Sequence, residues 1–199
     1  MSFGIVLTIK ANAGSAPWDV LHIGLYIQFG LTIGTWSIIV GLVILAVSAL
    51  ISRQFPKIGA FVNMMLVGLF IDMYMLIPYI RTPDTFWMKL VMLMIGIFIT
   101  GYGMGFYISA QMGAGPRDSL MLALTKATGW KVQNVRIIME IIVLFIGWLL
   151  GGPVSIGTVL FSVTIGSVVG VALPQCQTFV GRLLVKADKN STESRRLSG

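Results

Sequence analysis

The chain alternates long apolar runs with short polar punctuation. Residues 20–52, 90–116 and 141–181 contain no Asp, Glu, Lys or Arg. An apolar helix of roughly 20 residues spans the ~30 Å hydrocarbon layer of a bilayer. Each run is therefore long enough to cross, and the last is long enough to cross twice. Within the runs, apolar and polar residues do not alternate as the strands of a membrane barrel require. The pattern predicts an all-α, polytopic transmembrane helix bundle. Gly and Pro breaks divide it into eight segments: residues 2–12, Pro17 to Phe29, Gly34 to Ser52, Ile58 to Tyr79, Phe86 to Ala110, Pro116 to Thr128, Val132 to Leu150 and Val154 to Leu173. Residues 182–199 are polar, basic and Ser-rich, a composition that favours disorder.

One polar phrase occurs twice. "KANAGSAPWD" at 10–19 and "SAQMGAGPRD" at 109–118 stand 99 residues apart. At that offset Gly4 falls on Gly103, Ile9 on Ile108, Ala11 on Ala110, Gly14 on Gly113, Pro17 on Pro116 and Asp19 on Asp118; after a one-residue gap Gly68 meets Gly166. The chain reads as two copies of one unit, a transmembrane repeat over 1–80 and another over 86–174. Segments 17–29 and 116–128 cover only about 20 Å as helices, short of a full span, and so suit re-entrant half-helices. Charge bears on the relative direction of the copies. Lys126, Lys131 and Arg136 lie in a junction whose counterpart near Gly30 is bare, whereas Arg53 and Lys57 lie in a loop whose counterpart, "GGPVS", is bare. Under the positive-inside rule this pattern favours inverted copies, with the C-terminus in the cytoplasm, over the alternative of parallel copies whose short helices span. The loop with Arg81 and Lys89 against Asp84 does not follow the pattern. The first segment is also much shorter than its partner, 86–110, which favours a native start upstream of Met1.

Each phrase encodes an extended stretch followed by a helix start. Glycine permits a positive φ, Pro suits the first helical turn, and Asp there favours the dipole and can cap free N–H groups. Two such breaks related by inversion would bring two positive helix ends together near the midplane, where transporters hold substrate. The candidate binding residues are Gly14, Pro17, Trp18, Asp19, Gly113, Gly115, Pro116, Arg117 and Asp118. Asp72, with apolar neighbours inside a span, joins them; snorkelling toward Tyr79 is its alternative. The blander reading makes each phrase a capped turn at the membrane surface. Trp18 aligns with Arg117, so one copy offers an aromatic wall and the other a cation. Arg136 and Glu140 have the spacing of a structural i, i+4 ion pair. His22 is the lone histidine and reads as an interior hydrogen-bonding group rather than a metal ligand, with a proton-relay role beside Asp19 as the weaker alternative. Lys10 marks the edge of the first break. Gly30/Gly34, Gly101/Gly105, Gly147/Gly151 and Gly166/Gly170 read as helix-packing seams, and the Met-rich stretches near Met64 and Met92 as lipid-facing or core filler.

Composition narrows the functional classes. Hydrophobic residues make up 56% of the chain and charged residues 11%, against about 25% charged in soluble domains. The formal charge of +7 comes from loops and the tail, where it orients a membrane protein rather than binding nucleic acid. One cysteine, Cys176, excludes an internal disulfide and a multi-Cys metal site. No cleavable signal peptide, phosphate-binding loop or HExxH motif is present, so neither an enzyme nor a cofactor is expected. The expected function is a small-solute transporter or permease with its site between the two phrases. The alternative is a membrane-embedded accessory or scaffold subunit. Expected partners are the lipid bilayer, an unknown small solute, and a second copy or another membrane protein.

The stretches "AGSAPWDVLHIGL", "MGAGPRDSLMLAL" and "WLLGGPVSIGTVLF" resemble the YczE/YyaS/YitT-type bacterial integral membrane proteins, nearly as far as Pro174. The resemblance implies a multi-pass protein of the bacterial cytoplasmic membrane and a permease role of unspecified substrate.

Overall fold

The computed structural model describes residues 1–110 and 115–197, with side chains as far as Arg182. Among the described residues there are eight helices and no strand: α1 Ser2–Lys10, α2 Pro17–Phe29, α3 Ile33–Ser52, α4 Ile58–Met75, α5 Phe86–Ser109, α6 Pro116–Thr128, α7 Val132–Leu149 and α8 Ile156–Leu197. The helix starts follow local chemistry. Pro occupies the first turn of both α2 and α6, where its missing N–H is not needed. Both end on a glycine of positive φ, Gly30 and Gly129, a usual helix stop. The Thr32 side chain caps α3 by accepting from the Thr35 N–H. The last helix differs from expectation. It begins at Ile156, passes through Pro174 and continues as backbone helix to Leu197, into the stretch whose composition suggests disorder. Ala, Lys, Glu and Arg in that stretch have good helix propensity.

Five helices are long and apolar enough to cross a membrane: α3, α4, α5, α7 and α8 as far as Arg182. The other three are short, with 9 residues in α1 and 13 in each of α2 and α6. Outward faces are apolar. Val62, Met65, Leu66 and Leu69 on α4, and Ile138, Ile141, Ile142 and Phe145 on α7, are exposed. Such faces suit hydrocarbon as solvent, with the backbone paired inside each helix.

The bundle is woven rather than sequential. α5 packs against α1 and α8, α2 against α7, α3 against α6, and α3 and α4 form a hairpin. Small residues set these approaches, because packing in lipid depends on close backbone contact. α1 and α5 run antiparallel: the Met1 backbone fills the space a side chain on Gly103 would need, Thr100 does the same for Gly4, and Thr8 for Gly96. Gly34 meets the Gly68 carbonyl, and Gly147 meets the α2 backbone at Val20 and Leu21. Gly101 and Gly105 pack against Val168, Ala172 and Cys176 of α8. Gly30, Gly166 and Gly170 have no such neighbour, so the four expected seams are not equivalent.

The break between α1 and α2 lies inside this packing. Ala11, Ala13 and Ala16 are buried against Leu93 and Ile97 of α5 and Phe161 and Ile165 of α8. Asn12 (φ 48°) and Gly14 (φ 114°) turn the chain. The freed Ala13 carbonyl accepts from the Gly157 N–H at 2.9 Å and from the Ser155 hydroxyl. Irregular backbone among apolar helices is thereby satisfied within protein, as a membrane setting demands.

Candidate functional site

The starts of α2 and α6 converge on a cavity of about 180 Å³ that receives side chains from all eight helices. Pro17, Trp18, Asp19 and His22 face it from α2, and Gly115, Pro116, Arg117 and Asp118 from the start of α6. α5 contributes Thr100 and Tyr107, and α7 contributes Arg136 and Glu140. Seven of the ten sequence-nominated residues thus meet here, as the cavity lining names them. Gly14 does not. It shapes the turn and packs against Ser155 and Thr158. Gly113 lies outside the described residues. Asp72 sits at the far end of α4, where it accepts from the Gly34 N–H at 2.8 Å and the Thr32 hydroxyl at 2.5 Å. It holds the start of α3 and does not line the cavity. Lys10 is likewise absent from the lining.

The two phrases pair with each other. The Arg117 guanidinium carbon lies 4.9 Å from the centre of the Trp18 ring, a cation–π distance. Its Nη2 lies 3.9 Å from Asp19 Oδ1. Trp18 and Arg117, which fall on each other at the 99-residue offset, are thus in direct contact. His22 Nδ1 lies 3.9 Å from the same Asp19 oxygen. Protein hydrogen bonds are about 2.7–3.2 Å, so both contacts are electrostatic neighbours and not hydrogen bonds. Among the described residues, neither Asp19 nor Arg117 makes a hydrogen bond, and the buried His22 Nδ1 and Thr100 Oγ1 have no partner. The helix starts are equally open. The capping expected of Asp19 and Asp118 is not observed, and neither α2 nor α6 receives a side-chain cap. Both acids line the cavity, and the Asp118 carboxylate also lies beside Gly115 at the start of its own helix.

Buried polar groups without partners are rare, because each costs about 1–3 kcal/mol. Two of the three such groups among the described residues, His22 Nδ1 and Thr100 Oγ1, belong to residues lining this cavity, and the third, Thr125 Oγ1, does not. Sequence reading did not place His22, Thr100, Tyr107, Arg136 or Glu140 in the site. Thr100 carries no signal beyond lying in an apolar helix. Arg136 and Glu140 had an adequate local explanation.

The model of DUF6198, a family of unknown function, matches residues 1–174 and so covers both phrases. This chain belongs to that family. Among curated proteins it is similar to an uncharacterized membrane protein of Bacillus subtilis, YczE, at 45% identity over 176 residues, 88% of this chain and 81% of that one. An uncharacterized protein of Haemophilus influenzae is 33% identical over 169 residues, covering 85% of this chain and 76% of its own. The B. subtilis protein YyaS, also uncharacterized, is 26% identical over 179 residues, 87% of each chain. No solved structure matches. The DUF6198 chain is therefore a membrane protein by relationship as well as by its five apolar helices.

The DUF6198 match also spans the one tight ion pair of the site. Arg136 Nε lies 3.0 Å from Glu140 Oε1 at i, i+4, with both side chains partly exposed. Such pairs contribute about 0.3–0.5 kcal/mol. Glu140→Gln is expected to shift thermal unfolding by no more than that. A loss several times larger would give the pair a structural weight that its exposure denies.

Proposed function

We propose that this protein is a small-solute transporter of the bacterial cytoplasmic membrane, built from two inverted copies of one helical unit, with its C-terminus in the cytoplasm and its solute held where the two copies meet. One observation carries the reading: the repeated phrases, far apart in the chain, contribute Trp18, Asp19, Arg117 and Asp118 to a single cavity. Two further features support it. Exchanging aligned positions converts the Met1–Gly103 approach into the Thr100–Gly4 approach, as a two-fold axis between antiparallel copies requires. The packing of α2 on α7 is mirrored by that of α6 on α3. Short helices with their positive ends at a central site are the usual arrangement of inverted-repeat carriers. The reading assigns binding and translocation without a chemical step, catalyst or cofactor. One observation favours a scaffold subunit instead. Gly166 and Gly170 present a bare small-residue face on α8, suited to another helix.

Access separates the two readings without knowledge of the solute. In a Cys176→Ala background, Ser37→Cys and Ser162→Cys place reporters on the cavity lining. A charged, impermeant thiol reagent is added to one face of sealed vesicles and then, separately, to the other. A carrier that alternates its opening is expected to be labelled from both faces. Labelling from one face only, or from neither, would overturn the transport reading and favour the scaffold.

A further inference from the structure

We infer that the cavity binds a small zwitterion, a molecule carrying one ammonium and one carboxylate on an apolar body, as in the apolar α-amino acids. The inference rests on the cavity being a solute site and deepens that reading by naming the ligand class.

The charge pattern is the first ground. Arg136 and Glu140 neutralise each other at 3.0 Å. This leaves Asp19 and Asp118 facing Arg117 and the uncapped starts of α2 and α6. A helix start carries about half a positive charge. Leaving the chain terminus at Met1 aside, the two starts and Arg117 therefore balance the two carboxylates. A lone anion or a lone cation would upset that balance inside an apolar bundle, where uncompensated charge is costly. A neutral molecule with both poles would not.

The second ground is unused bonding capacity. Asp19 has 3% of its side chain exposed, yet accepts no hydrogen bond among the described residues. Arg117 presents five donors and makes none, while its side chain is 40% exposed toward the cavity. The two sit 3.9 Å apart, side by side but not bonded. That spacing is close to the separation of the two charged groups of an α-amino acid. Such a ligand docks antiparallel to the pair. Its ammonium donates to Asp19, and its carboxylate accepts from Arg117 and from the first backbone N–H groups of a helix start. Charge-assisted bonds of this kind are about twice as strong as neutral ones. The body of the ligand meets Ile5, Ile44, Met64, Met104 and Phe161, which favours an apolar side chain.

The test is thermal stabilisation and calorimetric binding of the full chain in detergent, with L-leucine, L-methionine and L-phenylalanine as probes. Each is paired with its methyl ester, which lacks the carboxylate charge, and its N-acetyl form, which lacks the ammonium. Inositol serves as an uncharged polar control. At least one free amino acid is expected to raise Tm and bind saturably, with its ester, its N-acetyl form and inositol each weaker by about tenfold or more. Asp19→Asn and Arg117→Gln are expected to lose a comparable factor while eluting as folded protein. The inference is overturned if no amino acid binds, if either singly charged form or inositol binds as well as the parent, or if folded Asp19→Asn retains full affinity. The probe comparison needs no variant, so a misfolded mutant does not blunt it. Binding of a zwitterion combined with one-sided cysteine labelling would keep the ligand class and remove transport. Two-sided labelling without zwitterion binding would do the reverse.

Discussion

Gly147→Leu is expected to abolish most folded, monodisperse protein, whereas Gly166→Leu leaves it intact. Gly147 lies near the end of α7, where an added Cβ would stand 2.6 Å from the Leu21 amide nitrogen and 2.8 Å from the Val20 carbonyl carbon. Both obstacles are backbone, so no rotamer change relieves them. On the other side, a Cβ added to Gly24 of α2 would stand 2.7 Å from the Gly147 carbonyl oxygen. The two helices meet glycine against glycine. Overpacking a well-filled contact costs about 1–3 kcal/mol and at times more, and a leucine here must push α2 off α7. The same helix holds Trp18 and Asp19 one turn earlier, so ligand binding is lost with the fold. Gly166 has nothing within 4 Å, and a leucine there faces open space. The measurement is the monomer fraction by size exclusion together with thermal unfolding of both variants. A wild-type profile for Gly147→Leu would mean that α2 does not pack on α7 as described.

That contrast shows what sequence could and could not convey. Spacing announces a small-residue pair, but Gly147 and Gly166 look alike on paper. Only the weave of the bundle decides which one finds a neighbour. The starts of α2 and α6 were legible because Pro has one comfortable place in a helix, its first turn. The run through Pro174 was not legible, because an internal proline is tolerated where the rest of the helix is well packed, and packing is a tertiary fact. The candidate site divides in the same way. Pro17, Trp18, Asp19, Pro116, Arg117 and Asp118 could be nominated because a polar phrase in an apolar chain demands a reason. The alignment put Trp18 opposite Arg117, but the cation–π contact between them depends on how α2 and α6 approach in space. Thr100 was invisible, since a threonine inside an apolar helix usually bonds its own backbone, and here it does not.

Asp72→Ala is expected to destabilise the protein by about 2 kcal/mol without altering affinity in the cavity. Sequence nominated Asp72 for the binding site because a lone acid among apolar residues suggests function. The structure provides a different use for its charge. One carboxylate oxygen accepts from the Gly34 N–H and the other from the Thr32 hydroxyl. Thr32 in turn caps α3 through the Thr35 N–H at 3.1 Å. Asp72 therefore closes a network over the positive end of a transmembrane helix, where an acid is favoured by the dipole. Its removal forfeits hydrogen bonds to a charged group, each worth about 1.5–3 kcal/mol, offset here by partial access to solvent. It also leaves the α3 start with only its threonine cap, itself worth about 1 kcal/mol. Asp72→Asn keeps one acceptor and should lose roughly half as much. The readout is thermal unfolding of each variant beside ligand affinity measured well below the transition. Unchanged stability with lost affinity would return Asp72 to the site that sequence assigned it. Lost stability with retained affinity makes it the clamp that holds α4 to the start of α3, and through α3 the wall on which α6 rests.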